Sequence, residues 1–215
     1  MAAPREYNGG ITREQFLFFE TKQVAKLKSE GYTNEEILKI SFDENILQMK
    51  TEKSIKILTQ ACIRRLDNCG QELCEVIANS SPDIAKQANL YAMMLQNRIV
   101  WDFMLNIIAE KYKSNNFSFS KKDINLFLSE LASQNEQIST WSESTLTKIR
   151  SVLIKILAET DYLDNIKSET LNPVFLYEEV ERVIVNKGDE IVLPAFNRFI
   201  WGKRLWKILE QDLTV

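Results

Sequence analysis

The stretch LYAMMLQNRIVWDFMLNII, residues 90–108, constrains the fold more than any other part of the chain. Wound as a helix it is apolar on nearly every side, and a helix without a polar face has to be enclosed by its neighbours. Ser81 supplies a cap and Pro82 a first helical position, so the pattern predicts one central helix over 81–113. Met93, Met94, Trp101 and Phe103 then read as core packing, and Arg98 and Asp102, four residues apart, can pair with each other or with neighbours. The segments around it repeat helical periodicity, which predicts an all-α fold, a compact multi-helix bundle.

Several chemistries are excluded at once. The 215 residues contain no histidine, which removes a Ser-His-Asp triad, a histidine base and histidine-containing metal sites. None of the six glycines forms a phosphate-cradling loop, so neither cofactor nor metal is expected. Glu35 with Glu36 and Glu178 with Glu179 sit where first turns of helices place carboxylates. Cys62, Cys69 and Cys74 are an odd set, and the first two share a helical face, which suits buried thiols rather than disulfides. Apolar runs such as YAMML and IVLPAF fall far short of the ~18 to 20 residues that cross a bilayer. The N-terminal MAAPREYNGG lacks a basic and then apolar leader, so no membrane insertion and a cytoplasmic location are expected. With 27 basic and 30 acidic residues the net charge is −3, and a nucleic-acid surface would have to be a local face.

Thr12 with Gln15 has the spacing of a capping box, Ile11 with Phe16 that of a staple, and Gly31 that of a C-terminal stop. A first helix read from these bounds aligns Phe16, Leu17, Phe19, Val24 and Leu27 inward. Glu20 then falls inside the apolar stripe, where an ionised carboxylate needs a partner, and Phe18 falls outside it beside Ala25. Arg65, at the border of a later stripe, is the expected structural ion-pair partner of Glu20. Phe18 is a candidate partner contact. Thr33 and Glu36 form a second capping box for a helix through about Phe42.

Two helices present polar faces. Over about 53–68, Ile55, Leu58, Cys62, Leu66 and Cys69 line one side, while Lys53, Lys56, Gln60 and Arg64 occupy a sector of about 80° opposite. Ser120 and Asp123 open another helix, and beyond a polar loop TWSESTLTKIRSVLIKILAETDYL points Leu146, Ile149, Leu153, Ile156 and Leu157 inward. Ser144, Thr147, Lys148, Ser151 and Lys155 face outward together. Helix, linker, polar-faced helix and a turn-rich stretch YLDNIKSETLNPVFL that could form a small hairpin make a helix-turn-helix or winged-helix-like arrangement. An ordinary solvated face accounts for the same spacing. Residues 1–115 read as an N-terminal helical bundle and 116–215 as a C-terminal helical, winged-helix-like region, the two packing as separate domains or as one unit. LYEEVERVIVNKG fits a helix ended by Gly188, although VIVNKGDEIVL also fits a hairpin. Lys203, Arg204 and Lys207 oppose Phe199, Trp206 and Leu209 on a basic amphipathic segment, a second candidate partner contact.

Taken in order, YNGGITREQFLFFETKQVAKLKSEGYTNEEI, SIKILTQACIRRL, QANLYAMMLQNRIVWDFMLNIIAEKY and WSESTLTKIRSVLIKILAETDYL resemble the BrxA family, small accessory proteins of BREX phage-defence systems. The likeness runs from about Tyr7 to Phe175 and rests on Glu20-Thr21, Arg65-Leu66, Asp102-Phe103 and Trp141 through Thr145 to Leu163 in combination. It implies a cytoplasmic, NusB-like helical protein that binds double-stranded DNA in an anti-phage complex with other BREX proteins, without catalysis of its own. The acidic balance departs from that of a strong DNA binder. Two roles are therefore expected: mostly sequence-independent DNA binding through the two polar faces, or an adaptor that assembles other defence proteins through Phe18 and the terminal segment.

Overall fold

The computed structural model describes residues 6–199. Among them are eleven α-helical segments and no strand: α1 (Phe18–Ser29), α2 (Asn34–Asp43), α3 (Glu52–Cys69), α4 (Gln71–Asn79), α5 (Pro82–Gln96), α6 (Arg98–Phe103), α7 (Glu110–Lys113), α8 (Lys121–Gln134), α9 (Glu136–Ser139), α10 (Glu143–Glu159) and α11 (Glu178–Asn186). Short 3-10 turns cover Gly9–Thr12 and Glu190–Phe196, and a π-helical turn at Met104–Ala109 joins α6 to α7.

Helix α5 is the central element, with every residue from Leu90 to Leu95 buried. It packs against α1, α3, α4, α6 and α11. One apolar cluster runs from Ile11 to Phe196 and draws on both halves of the chain. The expected single helix over 81–113 is broken at Asn97, whose backbone is extended (φ −129°, ψ 116°). Its side-chain oxygen accepts from the Ile99 amide at 3.0 Å and caps α6, because an asparagine satisfies orphan amides that a continuing apolar helix would leave to its own carbonyls. Pro82 is the first residue of α5 as expected, and Ser81 precedes it at the N-cap position without a side-chain hydrogen bond to the helix; Arg98 pairs with Asp102 at 3.3 Å.

The start of the chain departs further from the pattern. Thr12 and Gln15 do not cap a helix: Asn8 caps the 3-10 turn through the Gly10 amide at 3.0 Å, and the Thr12 hydroxyl donates to the Gly9 carbonyl. Helix α1 starts only at Phe18, after Leu17 turns through the left-handed region at φ +48°. A non-glycine residue there costs roughly 1–2 kcal/mol, so something must hold it. With Phe16 and Leu17 outside the helix, the buried stripe of α1 is Thr21, Val24 and Ala25, at spacings i, i+3 and i+4. The inward assignment of Phe19 is therefore reversed, since it is 42% exposed, whereas Phe18 lies half-buried against the core with its ring stacked on Phe16.

What holds the turn is Arg65, which is fully buried. Its Nη2 donates to the carbonyls of Gln15 (2.6 Å) and Glu14 (3.3 Å), and its Nη1 to Phe16 carbonyl, Thr21 Oγ1 and Asn89 Oδ1. Nε donates to Gln96 Oε1 at 3.0 Å. The expected Glu20–Arg65 ion pair is not made. Glu20 is half-buried at the surface, and the carboxylate tied to Arg65 is that of Glu14, through Gln96 Nε2 at 2.8 Å. Backbone carbonyls displaced Glu20 because three successive C=O groups with no helical partner present more acceptor capacity than one side chain.

Elsewhere local chemistry matches the elements. Thr33 and Glu36 make the capping box of α2, and Ser120 and Asp123 that of α8. Gly31 (φ +93°) terminates α1 with the Tyr32 amide reaching back to Leu27 carbonyl. Residues 178–186 are helical rather than a hairpin, and Gly188 (φ +71°) ends them. Residues 162–176 form no hairpin ladder either: the segment pairs with 117–119 through a single antiparallel bridge at Ser118 and Thr170, and within it the Asn172 amide donates to the Tyr162 carbonyl at 2.9 Å.

Three variants test this in urea denaturation. Arg65→Met strands buried carbonyls and should cost at least about 3 kcal/mol, while Glu20→Ala costs less than about 1 kcal/mol and shows no coupling to it. Asn97→Ala removes the cap of α6 and should cost about 1 kcal/mol.

Candidate nucleic-acid interface

Helix α3 is locked by its apolar side and by Arg65, which fixes the direction in which its other side looks. Lys53, Lys56 and Arg64 are exposed there, with Gln60 half-buried between them. Lys53 and Lys56 have no ion-pair partner among the described residues. Arg64 does: its Nη2 is paired with Glu14 Oε1. The helix spacing sends Arg65 inward and Arg64 outward, and the Glu14 carboxylate is tied to both, to Arg64 directly and to Arg65 through Gln96.

On α10, capped by Ser142, the sequence assignment of faces is followed closely. Ile149, Leu153, Ile156 and Leu157 are buried, Leu146 is half-buried, and Ser144, Thr147, Lys148, Ser151 and Lys155 are exposed. The hydroxyls of this face are already engaged. Ser144 shares a hydrogen bond with Ser142, Ser151 donates to the Thr147 carbonyl, and Thr147 Oγ1 accepts from Arg150 at 2.7 Å. Arg150 also pairs with Glu143 and reaches Asn125 Oδ1. Lys148 and Lys155 are left as the cations of this face without a hydrogen-bonded partner among the described residues.

Helices α3 and α10 are not packed on one another; the segment before α1 lies against both. Its 3-10 turn packs on α10, with Gly9 beside the Thr145 methyl, while Glu14, Gln15 and Phe16 are held on α3. At the other end of α10, partial burial and then the nearby Glu20 carboxylate raise the pKa of Glu159, against the pull of Lys155 and Lys86. Phe18, a candidate partner contact, is half-buried against the core. Lys203, Arg204 and Lys207 lie outside the described residues.

Glu14 and Gln96 were not singled out from the sequence. The signal for Gln96 was present, since Gln-Asn inside an otherwise apolar run marks a break where polar groups are used. Nothing in the spacing distinguishes Glu14 from the neighbouring polar residues. Among the described residues no group of three or more Cys, Asp or Glu side chains is placed to hold a metal ion. The three cysteines are free and buried, with burial pushing Cys62 and Cys74 up to about 11 and Cys69 to about 12, so these thiols are poor nucleophiles. No helix among the described residues is long and apolar enough to cross a membrane.

This arrangement of helices is found in a crystal structure of an uncharacterized protein from Magnetospirillum magneticum, with a TM-score of 0.77 at 22% identity, covering 90% of this chain and 98% of that one. Two relatives described as BREX protein BrxA extend the likeness to sequence. That of Bacillus cereus (strain H3081.97) is 28% identical over 86% of this chain and 89% of its own length. That of Paramagnetospirillum magneticum (strain ATCC 700264 / AMB-1) is 23% identical over 90% and 96%. The BrxA family model matches residues 5–188, a span that takes in Glu14, Arg65, Gln96 and both polar helix faces, and the chain accordingly belongs to the BrxA family.

Proposed function

We propose that this chain is a non-catalytic accessory protein of a BREX anti-phage system, located in the cytoplasm, that binds double-stranded DNA without strong sequence preference. The observation that carries the reading is the pair of exposed lysine-bearing faces on α3 and α10, whose apolar sides are committed to the core. Lys53, Lys56, Lys148 and Lys155 are the contacts to backbone phosphate. The arginines nearby contribute less, because Arg64 and Arg150 already have carboxylate partners. Ser144, Thr147 and Ser151, whose hydroxyls bond within α10, act through the shape of the face and not as readers of base edges. The relatives' names supply the BREX setting, and other BREX proteins are the expected protein partners.

The adaptor alternative draws on a different observation: Phe175 is 82% exposed, the highest exposure among the large hydrophobic residues of the described surface. The two readings part in one titration. Electrophoretic shift of an unrelated duplex should give a log affinity that falls with log salt at a slope of about −3.6, as four phosphate contacts at ~0.9 each require. Lys53→Gln with Lys56→Gln should reduce the slope by about 1.8 and leave thermal stability unchanged. No shift at low salt would reject DNA binding and favour the adaptor role, and a shift that the double variant leaves intact would move the site off α3.

A further inference from the structure

We infer that the cleft beneath Arg64 is a phosphate-binding site that the chain's own Glu14 carboxylate occupies in the absence of ligand. The cleft encloses about 330 Å³ and is lined by Asn8, Gly10, Glu14, Arg64, Gln96 and Asn97, among others. Inside it the Glu14 carboxylate is held as an anion would be: Arg64 Nη2 pairs with one oxygen and Gln96 Nε2 donates to the other at 2.8 Å. Gln96 is itself fixed by Arg65 Nε at 3.0 Å, so the donor that faces the anion is aimed before any ligand arrives. A planar guanidinium with an amide beside it matches a phosphate at least as well as a carboxylate, because both anions offer paired oxygens to forked donors.

The carboxylate can leave without disturbing the fold. The Glu14 backbone is anchored separately, its carbonyl accepting from Arg65 Nη2 at 3.3 Å, so a change in side-chain rotamer alone vacates the cleft. The pair is partly open to solvent, with Arg64 at 52% and Glu14 at 24% side-chain exposure, and ion pairs of that kind are weak enough for a phosphate to displace. Glu14 is therefore an internal competitor that lowers affinity and removes one contact from the α3 face.

This inference rests on the DNA-binding reading for the source of the phosphate, and the test keeps the two apart. Glu14→Gln retains the acceptor for Gln96 and removes the charge that competes. With duplex DNA, the substituted full chain should bind up to about fivefold tighter than the parent at low salt, with a slope steeper by about 0.9. Adding Arg64→Gln should abolish both gains, whereas Arg64→Gln alone in the parent should change the slope by less than that. Parent binding with no gain from Glu14→Gln, in a protein whose circular dichroism is unchanged, would overturn the inference. If Glu14→Gln does not fold, a parent slope that falls by a full 0.9 with Arg64→Gln would equally overturn it, since Arg64 would then be a fully available contact. Inorganic phosphate, titrated by chemical-shift change at the Gln96 side-chain amide, should bind more tightly to Glu14→Gln than to the parent, and equal affinity would contradict the competition. No DNA binding by the parent, with phosphate still perturbing Gln96, would reject the DNA reading and keep the site for a free phosphate.

Discussion

The guanidinium of Arg65 joins three parts of the chain that the sequence keeps far apart. It lies in α3, faces Asn89 and Gln96 of α5, and takes the carbonyls of Glu14, Gln15 and Phe16, which have no secondary structure of their own. Five N–H donors in a fixed fork are matched by six acceptors, which is why a fully buried cation is tolerable at that position. Burial draws its pKa down, yet a guanidinium stays charged at any physiological pH, so the acceptors always meet a cation. The left-handed turn at Leu17, the late start of α1 and the stacking of Phe18 on Phe16 all follow from pinning those carbonyls.

The same residue sets the surface. Adjacent positions on a helix point about 100° apart, so burying Arg65 presents Arg64 to solvent at the edge of the α3 lysine face. The segment held by Arg65 then supplies Glu14 to Arg64 and continues back to the 3-10 turn that packs on α10. Core and candidate interface are thus linked by one stretch of chain with little regular structure. A buried charge network of this kind adds little net stability compared with an apolar core, and its effect is to select one arrangement of the segment over others.

The bundle was legible where local rules act alone: the capping boxes at Thr33 and Ser120, the Gly31 stop, the buried cysteines and the apolar faces of α3 and α10. It was illegible where tertiary acceptors compete with them. Thr12 and Gln15 have the right spacing for a cap, but the carbonyls after them were more valuable to Arg65 than to a helix. Glu20 falls inside the apolar stripe only when Phe16, which precedes the helix, and the exposed Phe19 are counted into it; the buried stripe of Thr21, Val24 and Ala25 leaves Glu20 at its edge. The break at Asn97 was written in the sequence as a polar pair within an apolar run, and the length of that run concealed it. On the surface, exposure of the predicted cations could be read from periodicity, whereas the pairing of Arg64 and Arg150 could not, because their partners come from other segments or another turn.

The central claim is that every N–H of Arg65 is spent inside the protein. Arginine side-chain resonances in a ¹⁵N-labelled sample measure this directly. The account predicts Nε and resolved Nη protons of Arg65 that exchange with solvent far more slowly than those of Arg64, with the Nε proton losing this protection when Gln96 is replaced by alanine. Arg65 protons that exchange as fast as those of Arg64, with Nη signals averaged by rotation, would contradict it.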